Sequence, residues 1–173
     1  MEVKHIQGTM ILEQAIHKDD RGYFRELYKI STFFQIFKQD NTSFSKANVI
    51  RGLHFQEKPF AQAKYITVIS GKIIDIIVDI RKNSPTFGNY MRIELSAENG
   101  RVVYMPEGIA HGFAAIEDSN IIYKCNNEYN PKAEKCILYN DVDLNIDWGI
   151  ENPIVAEKDL KGLKFSELFS LDK

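Results

Sequence analysis

Three short stretches of this 173-residue chain place reactive side chains where a plain hydrophobic core would not want them. In Val49-Ile50-Arg51-Gly52-Leu53-His54-Phe55-Gln56, strict strand alternation sets His54 on one face with Ile50 and Gln56, and Arg51 on the other with Leu53 and Phe55. An inward imidazole is a candidate acid or base. In Gln62-Ala63-Lys64-Tyr65-Ile66-Thr67-Val68, Lys64 shares its face with Ile66 and Val68, so its ammonium sits at a rim or is buried for a purpose. In Ile121-Ile122-Tyr123-Lys124-Cys125, Tyr123 shares a face with Ile121 and Cys125 and directs its phenol toward a core or a cavity, while Lys124 points away.

Each residue has an ordinary reading as well. A lone His or Tyr on an apolar face is commonly a satisfied core residue, and a Lys near a strand end commonly lays its stem on apolar surface with its charge in water. Convergence favours chemistry. In a small barrel, inward positions on separate strands share one cavity, where His, Lys and Tyr make an acid/base set.

The elements that must position these groups read as strands. From about residue 47 to 140 the apolar residues come in short period-2 runs, broken by turn signals at Ser70-Gly71, Ser84-Pro85, Asn99-Gly100, Pro106-Glu107-Gly108, Asp118-Ser119 and Asn130-Pro131. This is the pattern of an all-β sandwich or barrel. Asn99-Gly100, between Met91 to Leu95 and Val102 to Met105, predicts a hairpin with a type I′ turn. Helical signals are confined to the ends: Ser31 as N-cap of a segment through Phe37, then Glu157 to Leu160 and Phe165 to Phe169. Extended segments at Met10 to Ala15 and Gly22 to Lys29 could pair with the main sheet or with a second subunit.

Without a linker or repeat, residues 1–173 read as one domain, long enough to bury about 70% of the unfolded surface. The 22 basic residues nearly balance 24 acidic ones, which argues against simple electrostatic binding of nucleic acid. The most apolar stretch, Tyr65 to Ile80, is broken by Ser70, Gly71, Lys72, Asp75 and Asp79, so a membrane span is not expected. No signal-peptide pattern opens the chain, and the expected compartment is the cytoplasm. There Cys125 and Cys136 read as small apolar residues rather than a disulfide.

Pro106-Glu107-Gly108-Ile109-Ala110-His111 resembles the second half of a cupin metal motif, but the matching first half has Gln56 in place of its second His. His54 and His111 then remain with no Cys or carboxylate at the required sequence spacing, and no functional metal is expected.

The stretches Asp20-Arg21-Gly22-Tyr23-Phe24, Gln39-Asp40-Asn41, Val49 through Gln56, Val78-Asp79-Ile80-Arg81 with Ser84-Pro85-Thr86-Phe87-Gly88, Pro106 through Phe113, Tyr123-Lys124 and Asn140-Asp141 together resemble the dTDP-4-dehydrorhamnose 3,5-epimerase family along nearly the whole chain. The resemblance implies a metal-free cupin jelly roll with short peripheral helices, a homodimer exchanging N-terminal strands, and no cofactor. It implies a nucleotide-linked 4-keto-6-deoxy sugar as substrate, in deoxysugar synthesis for surface polysaccharide. Carried over position by position, it gives His54 as base, Asp159 as its orienting partner, Tyr123 as acid and Lys64 beside the 4-keto oxygen. Arg51 and His111 fall near the pyrophosphate and sugar, with Arg21, Glu26, Gln39 and Asn41 at the nucleotide end, and Glu134 and Lys158 as further substrate contacts. Many members carry Tyr at Glu128, Trp at Tyr139 and Phe at Ile109, which leaves the nucleotide (dTDP or GDP) and the sugar (hexose or heptose) open. A carbon-3-only epimerase, a sugar-nucleotide 3,4-ketoisomerase and a non-catalytic binding cupin are the alternatives. The ketoisomerase pattern is R-G-x-H-A-H, unlike Arg51 to Gln56, and the presence of His54, Lys64 and Tyr123 together weighs against a binding module.

Overall fold

The alternating runs fold into two facing antiparallel sheets in a computed structural model that describes residues 1–31 and 33–169. In chain order the strands are β1 (Met10–Glu13), β2 (Ile16–Asp19), β3 (Gly22–Arg25), β4 (Gln39–Ser45), β5 (Val49–Gln56), β6 (Lys64–Ser70), β7 (Lys72–Asp79), β8 (Tyr90–Ser96), β9 (Arg101–Met105), β10 (Ile109–Ala115), β11 (Ser119–Cys125), β12 (Glu134–Cys136) and β13 (Ile154–Val155). One sheet runs β1-β9-β6-β11-β4; the other runs β12-β5-β10-β7-β8, with β13 beside β5. Successive strands from β8 to β11 alternate between the sheets, as do β5, β6 and β7. That alternation makes the fold a cupin jelly roll.

Inward side chains of both sheets, among them Ile66, Val68, Ile73, Ile77, Val103, Met105 and Phe113, fill the space between them. The outer faces are covered too. Phe33, Tyr65, Val102 and Tyr104 pack on one sheet, and Leu144, Trp148, Phe165 and Leu168 pack Ile50, Leu53 and Ile76 on the other. Trp148 is buried with its Nε1–H donated to the Tyr139 carbonyl. Each fully buried aliphatic side chain contributes about 1.5–3 kcal/mol by leaving water, so these coverings hold the two walls in fixed relation.

Three expectations fail for identifiable reasons. Asn99-Gly100 is not a hairpin turn: β8 and β9 belong to different sheets, and of the two residues only Gly100 has positive φ (60°). Asn99 instead uses its side-chain oxygen to accept the Ser96 and Arg101 N–H groups, making a corner between sheets. The segment after Ser31 forms no helix among the described residues, and Thr32 lies outside them. There Phe33 and Phe37 pack on Tyr28 and Tyr65, and a ring-to-ring fit outweighs the helical signal. The helices at the C-terminal end do form, as α1 (Glu157–Leu160) and a 3₁₀ turn (Phe165–Phe169).

The third failure matters most. On β10, His111 and Phe113 are two residues apart, yet their β5 partners His54 and Arg51 are three apart, so β5 carries a bulge at Gly52-Leu53. The bulge reverses the alternation. Ile50 and Leu53 face outward into the covered core, while Arg51 and His54 both face inward. Gly52 has φ 116°, and a Cβ there would stand 2.5 Å from the Gly112 Cα, so only glycine fits.

The N-terminal segments are partly as expected. β1 pairs with β9 of its own chain, and β2 and β3 form a separate hairpin with Tyr23 and Phe24 exposed. Ser84, Thr86 and Arg81 all donate to the buried carboxylate of Asp79, which makes Ser84-Pro85-Thr86-Phe87-Gly88 a loop clasp between β7 and β8. Among the described residues, no helix is long and apolar enough to cross a membrane.

Candidate active site

A cavity of about 400 Å³ opens between the sheets, and strand register explains its lining. On one wall β11 sets Tyr123 level with Asn41 of β4 and Ile66 of β6, and Cys125 level with Gln39 and Lys64. On the other wall the β5 bulge presents Arg51 and His54, with His111 beside His54 on β10. Ten expected residues line this one cavity: Gln39, Asn41, Arg51, His54, Lys64, His111, Tyr123, Glu134, Lys158 and Asp159. Arg21 and Glu26 do not. Arg21 is exposed on the hairpin and pairs with Asp19 at 2.6 Å, and Glu26 pairs with Lys29 at 3.8 Å, so the expectation that both join the nucleotide end is not met within one chain.

His54 is held by Asp159. Its Nε2 lies 2.9 Å from Asp159 Oδ1, and the other carboxylate oxygen accepts the Gly52 N–H at 3.1 Å. Burial pushes the Asp159 carboxyl up, but the His54 hydrogen bond and charge, the Gly52 N–H and Lys158 together hold it below the ordinary carboxylate value. An ionised Asp159 takes the proton-bearing Nε2 as donor, which leaves Nδ1 of the neutral ring as the basic atom. The one-turn helix α1 delivers this carboxylate from 105 residues away.

A second pair stands next to it. His111 Nε2 lies 2.6 Å from Asp75 Oδ1, with Asp75 fully buried and its Oδ2 without a partner among the described residues. Burial drives the His111 pKa down, against Asp75, and Lys64 and His54 add to the fall. Asp75 was readable in the sequence: it shares the inward face of β7 with Ile73 and Ile77, an acid on an apolar stripe.

The Lys64 ammonium makes no hydrogen bond or ion pair among the described residues, and burial lowers its pKa while Cys125, Glu134 and Asp75 pull it back up. It is a poorly solvated, unpaired donor facing the cavity. Tyr123 shifts the other way: burial raises its phenol above the ordinary value, with Cys125 and Glu134 adding to the rise and Arg51 opposing it, so it retains its proton at neutral pH. Arg51 is braced across the gap between sheets by Ser45 Oγ at 2.9 Å and the Phe44 carbonyl at 3.1 Å. At the mouth, Tyr129 donates its hydroxyl to Glu134 at 2.9 Å and its backbone N–H to Gln39, while Lys158 stands 3.6 Å from Glu134. Tyr129 lies in an irregular loop and left no pattern in the sequence. The departures Ile109, Glu128 and Tyr139 do not line the cavity among the described residues.

Gln56 cannot replace the missing metal-binding His, because its amide bonds the Phe60 and Glu128 carbonyls and the Asn130 N–H. No Cys or carboxylate stands at metal-motif spacing in the sequence, but the fold supplies both beside His54. The chain folds Cys136 and Asp159 against it, since β12 sets Cys136 level with His54. Both cysteines are free, Cys125 buried and Cys136 half-buried.

Residues 3–167 match the family model described as dTDP-4-dehydrorhamnose 3,5-epimerase. The Shigella flexneri protein of that name is 42% identical over 167 residues, covering 92% of each chain. The structure of the Legionella pneumophila dTDP-6-deoxy-D-glucose-3,5-epimerase, in complex with dTDP-4-keto-L-rhamnose, superposes with TM-score 0.89 at 35% identity, covering 97% of this chain and 95% of that one. A 3'-monoepimerase from Streptomyces bikiniensis in complex with dTDP-quinovose gives TM-score 0.91 at 30% identity, covering 99% and 90%.

Proposed function

Because the chain belongs to the dTDP-4-dehydrorhamnose 3,5-epimerase family, we propose that it inverts carbons 3 and 5 of a nucleotide-linked 4-keto-6-deoxy sugar through an enolate. The observation that carries this reading is the placement of His54 and Tyr123 on opposite walls of one cavity. Inversion needs a proton taken from one side of the sugar ring and returned to the other.

The 4-keto group acidifies the hydrogens at carbons 3 and 5, since the electron pair left on carbon moves onto the ketone oxygen. His54 Nδ1 removes the proton, and Asp159 stabilises the imidazolium that forms. Lys64 donates to the oxygen that gains the charge, an interaction strengthened by poor solvation. Tyr123 then gives its proton to the same carbon from the opposite side, and the ketone returns. His54 now holds one extra proton and Tyr123 lacks one. Exchange with solvent resets both before the second carbon reacts.

Arg51 supplies the charge for the diphosphate, with its guanidinium fixed in advance by β4. The exposed Tyr129 ring, beside Gln39 and Asn41, is a stacking surface for the base. A homodimer accounts for Arg21 and Glu26: an exchange of N-terminal strands carries the β2–β3 hairpin, with exposed Tyr23 and Phe24, to the nucleotide end of a partner's cavity. The reading includes a cytoplasmic setting and use of the product in surface polysaccharide. Similarity to a 3'-monoepimerase supports a second reading, the same chemistry stopped after carbon 3.

The test is NMR of a dTDP-linked 4-keto-6-deoxyhexose incubated with enzyme in deuterated water. Label is expected at carbons 3 and 5. Label at carbon 3 alone supports the second reading, and label at neither overturns both.

A further inference from the structure

Behind the base, three donors of different chemistry converge. A ring nitrogen of His54, Sγ of Cys136 and a carboxylate oxygen of Asp159 all lie within 4.8 Å of one another. Cys136 is the β12 register partner of His54, so both side chains leave the same face of the sheet at one level, and α1 brings Asp159 against them. Nitrogen, thiolate sulfur and carboxylate oxygen are the three protein ligands of an open tetrahedral zinc-type site, and the sulfur selects against magnesium and calcium. Bonds of about 2.0–2.3 Å set such donors roughly 3.3–3.8 Å apart, so the widest present spacing must close by about 1 Å, within reach of a side-chain rotation. The cavity, lined by His54 and Asp159, leads an ion to the place.

We propose that His54, Cys136 and Asp159 form a site for a zinc-type divalent cation whose occupancy switches off proton transfer at His54. The switch rests on the reading of His54 as the base; the site does not. The cation takes the Nε2 lone pair in place of the hydrogen bond to Asp159, and the single proton of the neutral imidazole moves to Nδ1. The atom that would have accepted the substrate proton becomes a donor. The Cys136 thiol gives its proton to solvent as sulfur binds the metal, and no electron changes hands.

The full chain, freed of metal with a chelator and then dialysed, is titrated with Co²⁺ alone, without substrate. A thiolate-to-cobalt absorption band saturating at one equivalent is expected, kept in Cys125→Ser and lost in Cys136→Ser and Cys136→Ala. Absence of the band in the unaltered protein, or its survival in both Cys136 variants, overturns the site. In turnover assays Zn²⁺ is expected to inhibit and chelator to restore. The Cys136 variants, each compared with its own chelated rate, should need at least about tenfold more Zn²⁺ for half inhibition, as loss of even a supporting residue weakens metal sites about that much. A cobalt band accompanied by zinc-insensitive turnover overturns the switch and leaves the site standing.

Discussion

His54 and His111 stand opposite each other on β5 and β10, and each imidazole is tied through Nε2 to its own buried carboxylate, Asp159 at 2.9 Å and Asp75 at 2.6 Å. The surroundings separate their roles. Both line the cavity, but the His54 side chain is 22% exposed, whereas His111 is buried and its pKa is driven down, so it stays neutral at pH 7. Only the Asp159 pair is suited to carry a proton away.

His54→Asn is therefore expected to cut deuterium wash-in at carbon 3 by at least about a hundredfold while the protein stays folded. Asp159→Asn should fall in the same range, because an amide cannot stabilise the imidazolium. Single-turnover NMR and thermal melts check both, and wash-in at the unaltered rate in His54→Asn would remove the base assignment.

Tyr123→Phe keeps the ring and deletes the phenolic proton. Carbon 3 label should continue to enter, since proton removal precedes protonation, while product inverted at carbon 5 should fall further. Equal losses at the two carbons would sink the assignment of Tyr123 as acid.

Exhaustive dialysis against a strong chelator should leave turnover unchanged, or raise it where the protein was purified with bound zinc. Loss of activity restored by one divalent ion would defeat a metal-free mechanism.

Asp79 is fully buried, and its three side-chain donors outweigh burial and hold its pKa at about 2 against 3.8. The stabilisation is fully present above pH 4 or so and is lost as pH falls toward about 2, a total of about 2 kcal/mol. Asp79→Asn should flatten this acid limb and lower stability at pH 7 by about that amount. Denaturant melts across the range are the check, and an unaltered limb would show that the clasp contributes nothing.

How much of this was legible in the sequence varied with the physics behind each residue. Lys64 and Tyr123 lie on regular strands, so counting by twos puts both on the inward face that lines the cavity. Strict alternation puts Arg51 on the wrong face, because a bulge leaves no composition of its own beyond one glycine, and Gly52 reads like any strand glycine. Asp159 lies 105 residues from His54, and no local period links a four-residue helix to a distant strand. Only the family resemblance points to it. Asn99-Gly100 had the right residues for a tight hairpin, but a tertiary choice between two sheets overrode the local preference.

Trp148 is the one tryptophan in the chain, and it lies on the outer face of the sheet whose inner face carries His111. A Cβ on Gly112, the residue next to His111, would come within 3.0 Å of the indole ring. The protein thus has a built-in optical probe pressed against the back of its reacting wall. Nucleotide-sugar binding that shifts β10 should change tryptophan emission, so affinity and pre-steady-state binding can be followed without a label. Emission that stays constant through saturation would mean that β10 does not move when the cavity fills.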